Sequence, residues 1–133
     1  MPITNCNYSL TMKRPENVII KKTELFADRI VKMHRYLSKK KEDNADILKQ
    51  IIRSGTSIGA NMAESQFAQS RADFLTKLTI ALKEANETKF WLERLFAGGY
   101  LSETEYRSIV NDNIEIIKIL TSITGTIKKS LQK

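Results

Sequence analysis

Apolar side chains in this sequence return at alternating steps of four and three residues along several long segments, the rhythm of one face of a helix. The clearest run is Phe74, Leu78, Ala81, Ala85, Thr88, Leu92 and Leu95. Ser70 with Asp73 forms an N-terminal capping pair and Gly98-Gly99 supplies a left-handed stop, so a helix is predicted over about 70–98. Ser102 and Glu105 repeat the capping pattern ahead of Ile109, Ile116 and Ile123, flanked by Val110, Ile117, Leu120 and Ile127, which predicts a helix over about 103–130. A helix over about 18–41 carries Phe26, Ile30, Met33 and Leu37 and ends in SKKKEDN. The lysines of that run suit a helix C-terminus, and its acids suit the next N-terminus.

The stretch RSGTSIGANMAES, residues 53–65, has the small-residue content of a loop. Its register argues otherwise, because Leu48, Ile51, Gly55, Ile58, Met62 and Ser65 continue the four-three rhythm straight through it. Glycine inside a helix costs about 1 kcal/mol relative to Ala, which close approach of a neighbouring backbone can offset. Gly55, Gly59 and Ala63, four apart, are therefore expected to form a close-packing groove. A second stripe, Gln50, Ser54, Ser57, Asn61 and Glu64, is wholly polar. It faces another polar surface, a subunit boundary or solvent, because buried hydroxyls and amides need partners. Charged and amide groups on the same two helices, Arg53, Asn61, Glu64, Asp73, Lys77, Lys83, Glu84 and Glu87, form a candidate network within or between subunits.

Four such helices with short connections make an all-α, up-down-up-down antiparallel bundle over residues 18–133, preceded by a flexible N-terminal tail, 1–17. The 133 residues suit one domain, and both prolines, Pro2 and Pro15, stand ahead of the helices. The chain carries 22 Lys and Arg against 15 Asp and Glu, a net charge of +7 that admits polyanionic partners without identifying one. The antiparallel topology gathers Lys13, Arg14, Lys21, Lys22, Arg71, Lys128, Lys129 and Lys133 at one end. These cations complement helix dipoles and aid solubility; the sharper alternative is a surface for RNA or DNA. The other end mixes Lys39, Lys40 and Lys41 with Glu42, Asp43, Asp46, Glu103 and Glu105, and is expected to be nearly balanced.

The sequence offers no readable catalytic centre, cofactor motif or small-molecule site. The Glu-x-x-His pairs of di-metal bundles are absent and His34 is the only histidine, so Glu64, Asp73, Glu84 and Glu87 read as structural. Cys6 has no charged cluster around it, and a single cysteine cannot form an internal disulfide. No secretory signal or membrane span is apparent, which gives a cytoplasmic expectation. Phe90, Trp91, Phe96, Tyr100 and Tyr106 are expected to close one end of the core, whereas Phe67, off the seam at a helix connection, is expected to bury against a neighbouring subunit.

The pattern R-S-x-x-S-I-x-A-N-x-A-E across Arg53–Glu64, followed by AQSRADFLTKLTIALKEANETKFWLERL and GGYL, resembles the 23S rRNA-intervening-sequence protein family from about residue 18 onward. The resemblance implies a bacterial four-helix bundle that assembles as a ring-shaped homopentamer, with no established enzymatic activity. A similar protein, the accessory subunit of diversity-generating retroelements, has a basic ring that binds nucleic acid. The chain departs from many relatives at Ser65, where they carry Gly, and at Gly59, where they carry Pro. The two functional readings are a non-enzymatic homo-oligomeric assembly protein and, alternatively, a nucleic-acid-binding accessory protein using Lys21, Lys22, Arg71, Lys128, Lys129 and Lys133.

Overall fold

The computed structural model describes residues 14–132, with side chains from residue 17 onward. Lys13, Cys6, Lys133 and most of the predicted tail lie outside the described residues. Four helices follow one another: α1 Arg14–Lys39, α2 Ala45–Ser65, α3 Arg71–Ala97 and α4 Glu103–Leu131. Each packs on its sequence neighbours, and α1 closes the bundle against α4 through the sparsest of the four contacts. The connections, 40–44, 66–70 and 98–102, are too short for anything but antiparallel neighbours, so the chain runs up, down, up and down. Helix α1 begins at Arg14, ahead of the predicted residue 18. Pro15 falls in its first turn, where a missing N–H removes no helical hydrogen bond. The same helix stops at Lys39 instead of continuing to 41, because Lys41 adopts a left-handed φ of 56°.

Local chemistry ends the other helices. Ser70 Oγ accepts from the Asp73 N–H at 3.0 Å, while Asp73 Oδ2 accepts from the Gln69 N–H at 3.1 Å, so the return bond lands one residue ahead of the cap. Ser102 and Glu105 form the full reciprocal box, with bonds of 3.1 and 2.9 Å. At the end of α3, the Tyr100 N–H reaches the Leu95 carbonyl and the Gly99 N–H reaches that of Phe96. This is the Schellman pattern, and Gly99 supplies its left-handed residue with φ 82°. Tyr100 then donates its hydroxyl to the Asp43 carbonyl at 2.6 Å, tying this turn to the connection between α1 and α2.

The small-residue stretch is uninterrupted helix. The buried positions of α2 are Leu48, Ile51, Ser54, Gly55, Ile58, Met62 and Ser65, the predicted register with Ser54 added. A Cβ at Gly55 would stand 2.8 Å from Ile30 Cγ1 and 2.9 Å from Cγ2, and one at Gly59 would stand 3.0 Å from the Thr23 carbonyl oxygen. Helix α1 therefore lies against α2 at a separation that a side chain at either position would widen. Ala63 does not extend this groove and is exposed. Steps of four residues advance about 400°, so the row has rotated about 80° between Gly55 and Ala63 and leaves α1 behind.

The core is apolar, with Phe26, Ile30, Ile51, Leu78, Leu92 and Leu120 at its centre. The aromatic end differs from expectation. Trp91, Tyr100 and Tyr106 pack on the core, but Phe90 and Phe96 remain 48% and 38% exposed. Phe90 is two residues, about 200° of helical turn, from both Thr88 and Leu92, which puts it on the outer side of α3. There it meets the Trp91 ring edge-on at 4.9 Å, while Phe96 stacks on Tyr106 at 4.5 Å.

The glycine contacts define a stability test. Gly55→Ala is expected to lower unfolding free energy by about 1–2 kcal/mol, because Ile30 is fully buried and stiff at χ1 and the overpacking exceeds the gain in helix propensity. Gly125→Ala, in open space on α4, is expected to raise it by about 0.4–1 kcal/mol. Urea denaturation of the two variants beside the parent chain checks both signs.

Candidate assembly interface

The polar residues of α2 meet α3 along a half-exposed seam. Arg53 Nη1 lies 3.2 Å from Glu84 Oε1, and Arg53 Nη2 donates to Glu87 Oε2. Trp91 Nε1 donates to the same Glu87 oxygen at 3.0 Å. Further along, Lys77 Nζ donates to Glu64 Oε1 at 3.1 Å. These pairs join the two helices within one chain. Ser57 donates to the Arg53 carbonyl at 2.6 Å and Asn61 Nδ2 to the Ser57 carbonyl at 2.8 Å, so these two side chains turn back on their own helix. Asp73 is used in the α3 cap, and Lys83 is exposed and takes no part.

The electrostatics follow from that geometry. The hydrogen bond from Arg53, followed by that from Trp91, holds the Glu87 carboxyl below the usual carboxylate range. Its hydrogen bond to Glu87 holds the Arg53 guanidinium above its ordinary value. Because the Arg53 and Glu87 side chains are 48% and 38% exposed, water screens the pair and its contribution is below about 1 kcal/mol. The several kcal/mol appropriate to a dry pair do not apply here.

Beneath the seam is a buried polar layer that only partly announces itself in sequence. Thr88 Oγ1 stands 2.7 Å from the Glu84 carbonyl and 3.0 Å from Ser54 Oγ. A threonine hydroxyl has one proton, so with that proton on the carbonyl, Ser54 donates to Thr88. Asn113, fully buried on α4, donates Nδ2 to the Ala85 carbonyl at 3.1 Å, while its Oδ1 has no partner among the described residues. Its signal in the sequence is position, since it falls in the same register as Ile109 and Ile116.

On the opposite side of the bundle, polar pins hold α1 to α4. Arg29 bonds Asp112 Oδ2 at 2.7 Å and Ser108 Oγ at 2.9 Å, and Lys22 bonds Glu115 at 3.1 Å. Between these helices lies an open groove of about 450 Å³, lined by Met33, Tyr36, Leu101 and Ile109 together with Arg29, Lys32, Thr104, Glu105 and Ser108. A smaller recess of about 210 Å³ continues past Arg29 toward Leu25. Val18, Leu25 and Tyr36 on α1 are 42%, 51% and 50% exposed. Phe67, at the connection between α2 and α3, is 71% exposed.

The predicted basic end is unevenly charged. Lys21 pairs with Glu24 and Lys22 with Glu115, each at 3.1 Å. Arg71, Lys128 and Lys129 are exposed and have no ion-pair partner among the described residues. Lys133 lies outside them. Among the described residues no group of three or more His, Cys, Asp and Glu side chains is arranged to hold a metal ion, and no helix is long and apolar enough to cross a membrane.

Residues 15–122 match the family model for the 23S rRNA-intervening sequence protein. The chain is also similar to a solved structure from Bacteroides thetaiotaomicron, a protein with unknown function from the S23 ribosomal protein family. The two are 50% identical, the match covers 84% of this chain and 98% of that one, and the TM-score is 0.77. No curated protein matches the sequence.

Two substitutions probe the polar contacts. Glu87→Gln is expected to cost less than about 1 kcal/mol at neutral pH, a cost that shrinks as pH falls below the usual carboxylate range. A carboxyl held below its unfolded value contributes stability above that value and loses it as pH falls through the folded one, so the parent and variant melting curves converge in acid. Asn113→Leu removes an unpaired buried acceptor and is expected to raise stability by about 1 kcal/mol. Asn113→Asp places a charge beside the Ala85 carbonyl and is expected to lower stability by about 3 kcal/mol or more. Urea titrations measure both.

Proposed function

The chain belongs to the 23S rRNA-intervening sequence protein family, and we propose that it is a non-enzymatic homo-oligomeric assembly protein, a homopentamer by resemblance. The observation that carries this reading is the exposure of large apolar side chains on a bundle whose core is already complete. Phe67, Leu25, Tyr36 and Val18 are each more than 40% exposed, and such surfaces mark interaction sites. The polar seam between α2 and α3 joins helices within one chain, and the outer edges of Ser57, Asn61 and Glu64 are left at the surface, where a neighbouring copy can meet them. Light scattering on the purified protein is expected to give a mass near five times 15.2 kDa. A mass of one chain at every concentration overturns the reading.

A second reading has its own observation. Arg71, Lys128 and Lys129 have no ion-pair partner among the described residues and lie at the end of the bundle where α3 begins and α4 finishes, which supports binding of RNA or DNA through phosphate contacts. Retention of single-stranded or duplex nucleic acid is expected to weaken log-linearly as salt rises and to vanish when Lys128 and Lys129 are both changed to Glu. Retention indifferent to salt and to both substitutions rejects this surface.

A further inference from the structure

We propose that Phe67 of one copy seats in the groove between α1 and α4 of a second copy, so that the chain assembles through a heterologous knob-and-socket contact. This rests on the homo-oligomeric reading above and adds the contact that builds the oligomer.

The knob is pre-shaped. Phe67 follows the last turn of α2, where its N–H bonds the Glu64 carbonyl at 3.0 Å, and the next residue, Ala68, bonds the Ser65 carbonyl at 3.2 Å. The ring is thus held on an ordered turn while remaining 71% exposed, so little backbone freedom is lost when it docks. The socket has the matching character. Its walls include Met33, Leu101 and Ile109, and its volume of about 450 Å³ accommodates an aromatic ring with space for flanking atoms. Charge supports the same pairing. Arg29, Lys32 and Glu105 line the socket, two cations to one anion, and among the described residues Lys32 has no ion-pair partner. Glu64, one turn before the knob, has a side chain 63% exposed and only one oxygen engaged, by Lys77.

Topology selects the kind of assembly. The pair α2 and α3 lies on the side of the bundle away from the pair α1 and α4, because α1 packs only on α2 and α4 among its major contacts. The knob and the socket lie on different seams and at opposite ends of one chain, so a chain does not fill its own socket. The contact is head-to-tail, which closes into a ring or continues as a filament. The knob is at the end where α2 finishes and the socket is near the end where α4 begins, so a closed ring inclines its bundles to the ring axis.

Two variants and their mixture test the contact. Phe67→Glu keeps the socket and loses the knob; Thr104→Trp keeps the knob and lays an indole across the socket. Both residues are exposed, so helicity and melting temperature are expected to match the parent chain. Each variant alone is expected to scatter light as a monomer of 15.2 kDa, and an equimolar mixture as a dimer, one knob in one socket with no further growth. The milder Phe67→Ala is expected to weaken assembly by roughly 10- to 100-fold, the factor for exposing one large apolar side chain. If the parent chain is oligomeric but both variants keep its mass, or the mixture gives no dimer, the knob-and-socket contact is wrong while the assembly reading survives. A monomeric parent chain removes both.

Discussion

The close approach of α1 to α2 at Gly55 and Gly59 is the constraint on which the rest of the bundle is arranged. One glycine admits both γ carbons of Ile30 and the other admits the backbone of α1 at Thr23. Glycine in a helix interior is unfavourable by about 1 kcal/mol, and the packing of a fully buried Ile30 offsets that loss. Drawn tightly to α2, α1 makes its sparsest contact with α4. Arg29 and Lys22 bridge that wider seam with polar bonds, and beyond Arg29 an apolar groove stays open. A local choice of two glycines thus bears on a surface feature on the other side of the same helix.

The two seams of the bundle have opposite characters. Between α2 and α3, charged groups cover a tightly packed polar layer built from Ser54 and Thr88. Between α1 and α4, charged groups flank an incompletely filled apolar recess. A polar layer within an apolar core restricts which helical registers can satisfy its donors, and Asn113 extends that restriction to α4 through its bond to Ala85. The apolar recess places no such demand on its own chain.

Charge takes a more specific form than the net +7 conveys. Lys21 and Lys22 are partly neutralised by Glu24 and Glu115, whereas Arg71, Lys128 and Lys129 meet no carboxylate among the described residues. Lys21 meets Glu24 within its own helical turn, a local pair, whereas the partner of Lys22 is far away in sequence. Lys22 and Glu115 are 93 positions apart, and only the closing of α4 against α1 brings them to 3.1 Å. The same holds for Arg29 and Asp112, which carry no mutual signal in the chain.

What the sequence alone determined is whatever depends on residues within about two helical turns of one another. The buried face of α3 is the predicted seam from Phe74 to Leu95, the register of α2 passes unbroken through its glycines, and Ser102 with Glu105 caps α4 as the pattern requires. Period and capping chemistry are local, so they are legible in order along the chain. Tertiary structure alone decided which side of each helix meets which partner and how closely. It brought Arg53 into half-exposed pairs with Glu84 and Glu87, joined Asn113 on α4 to the Ala85 carbonyl on α3, and opened the groove between α1 and α4. These outcomes depend on interhelical distance and rotation, which are set by all four surfaces packing at once and are written in no single segment.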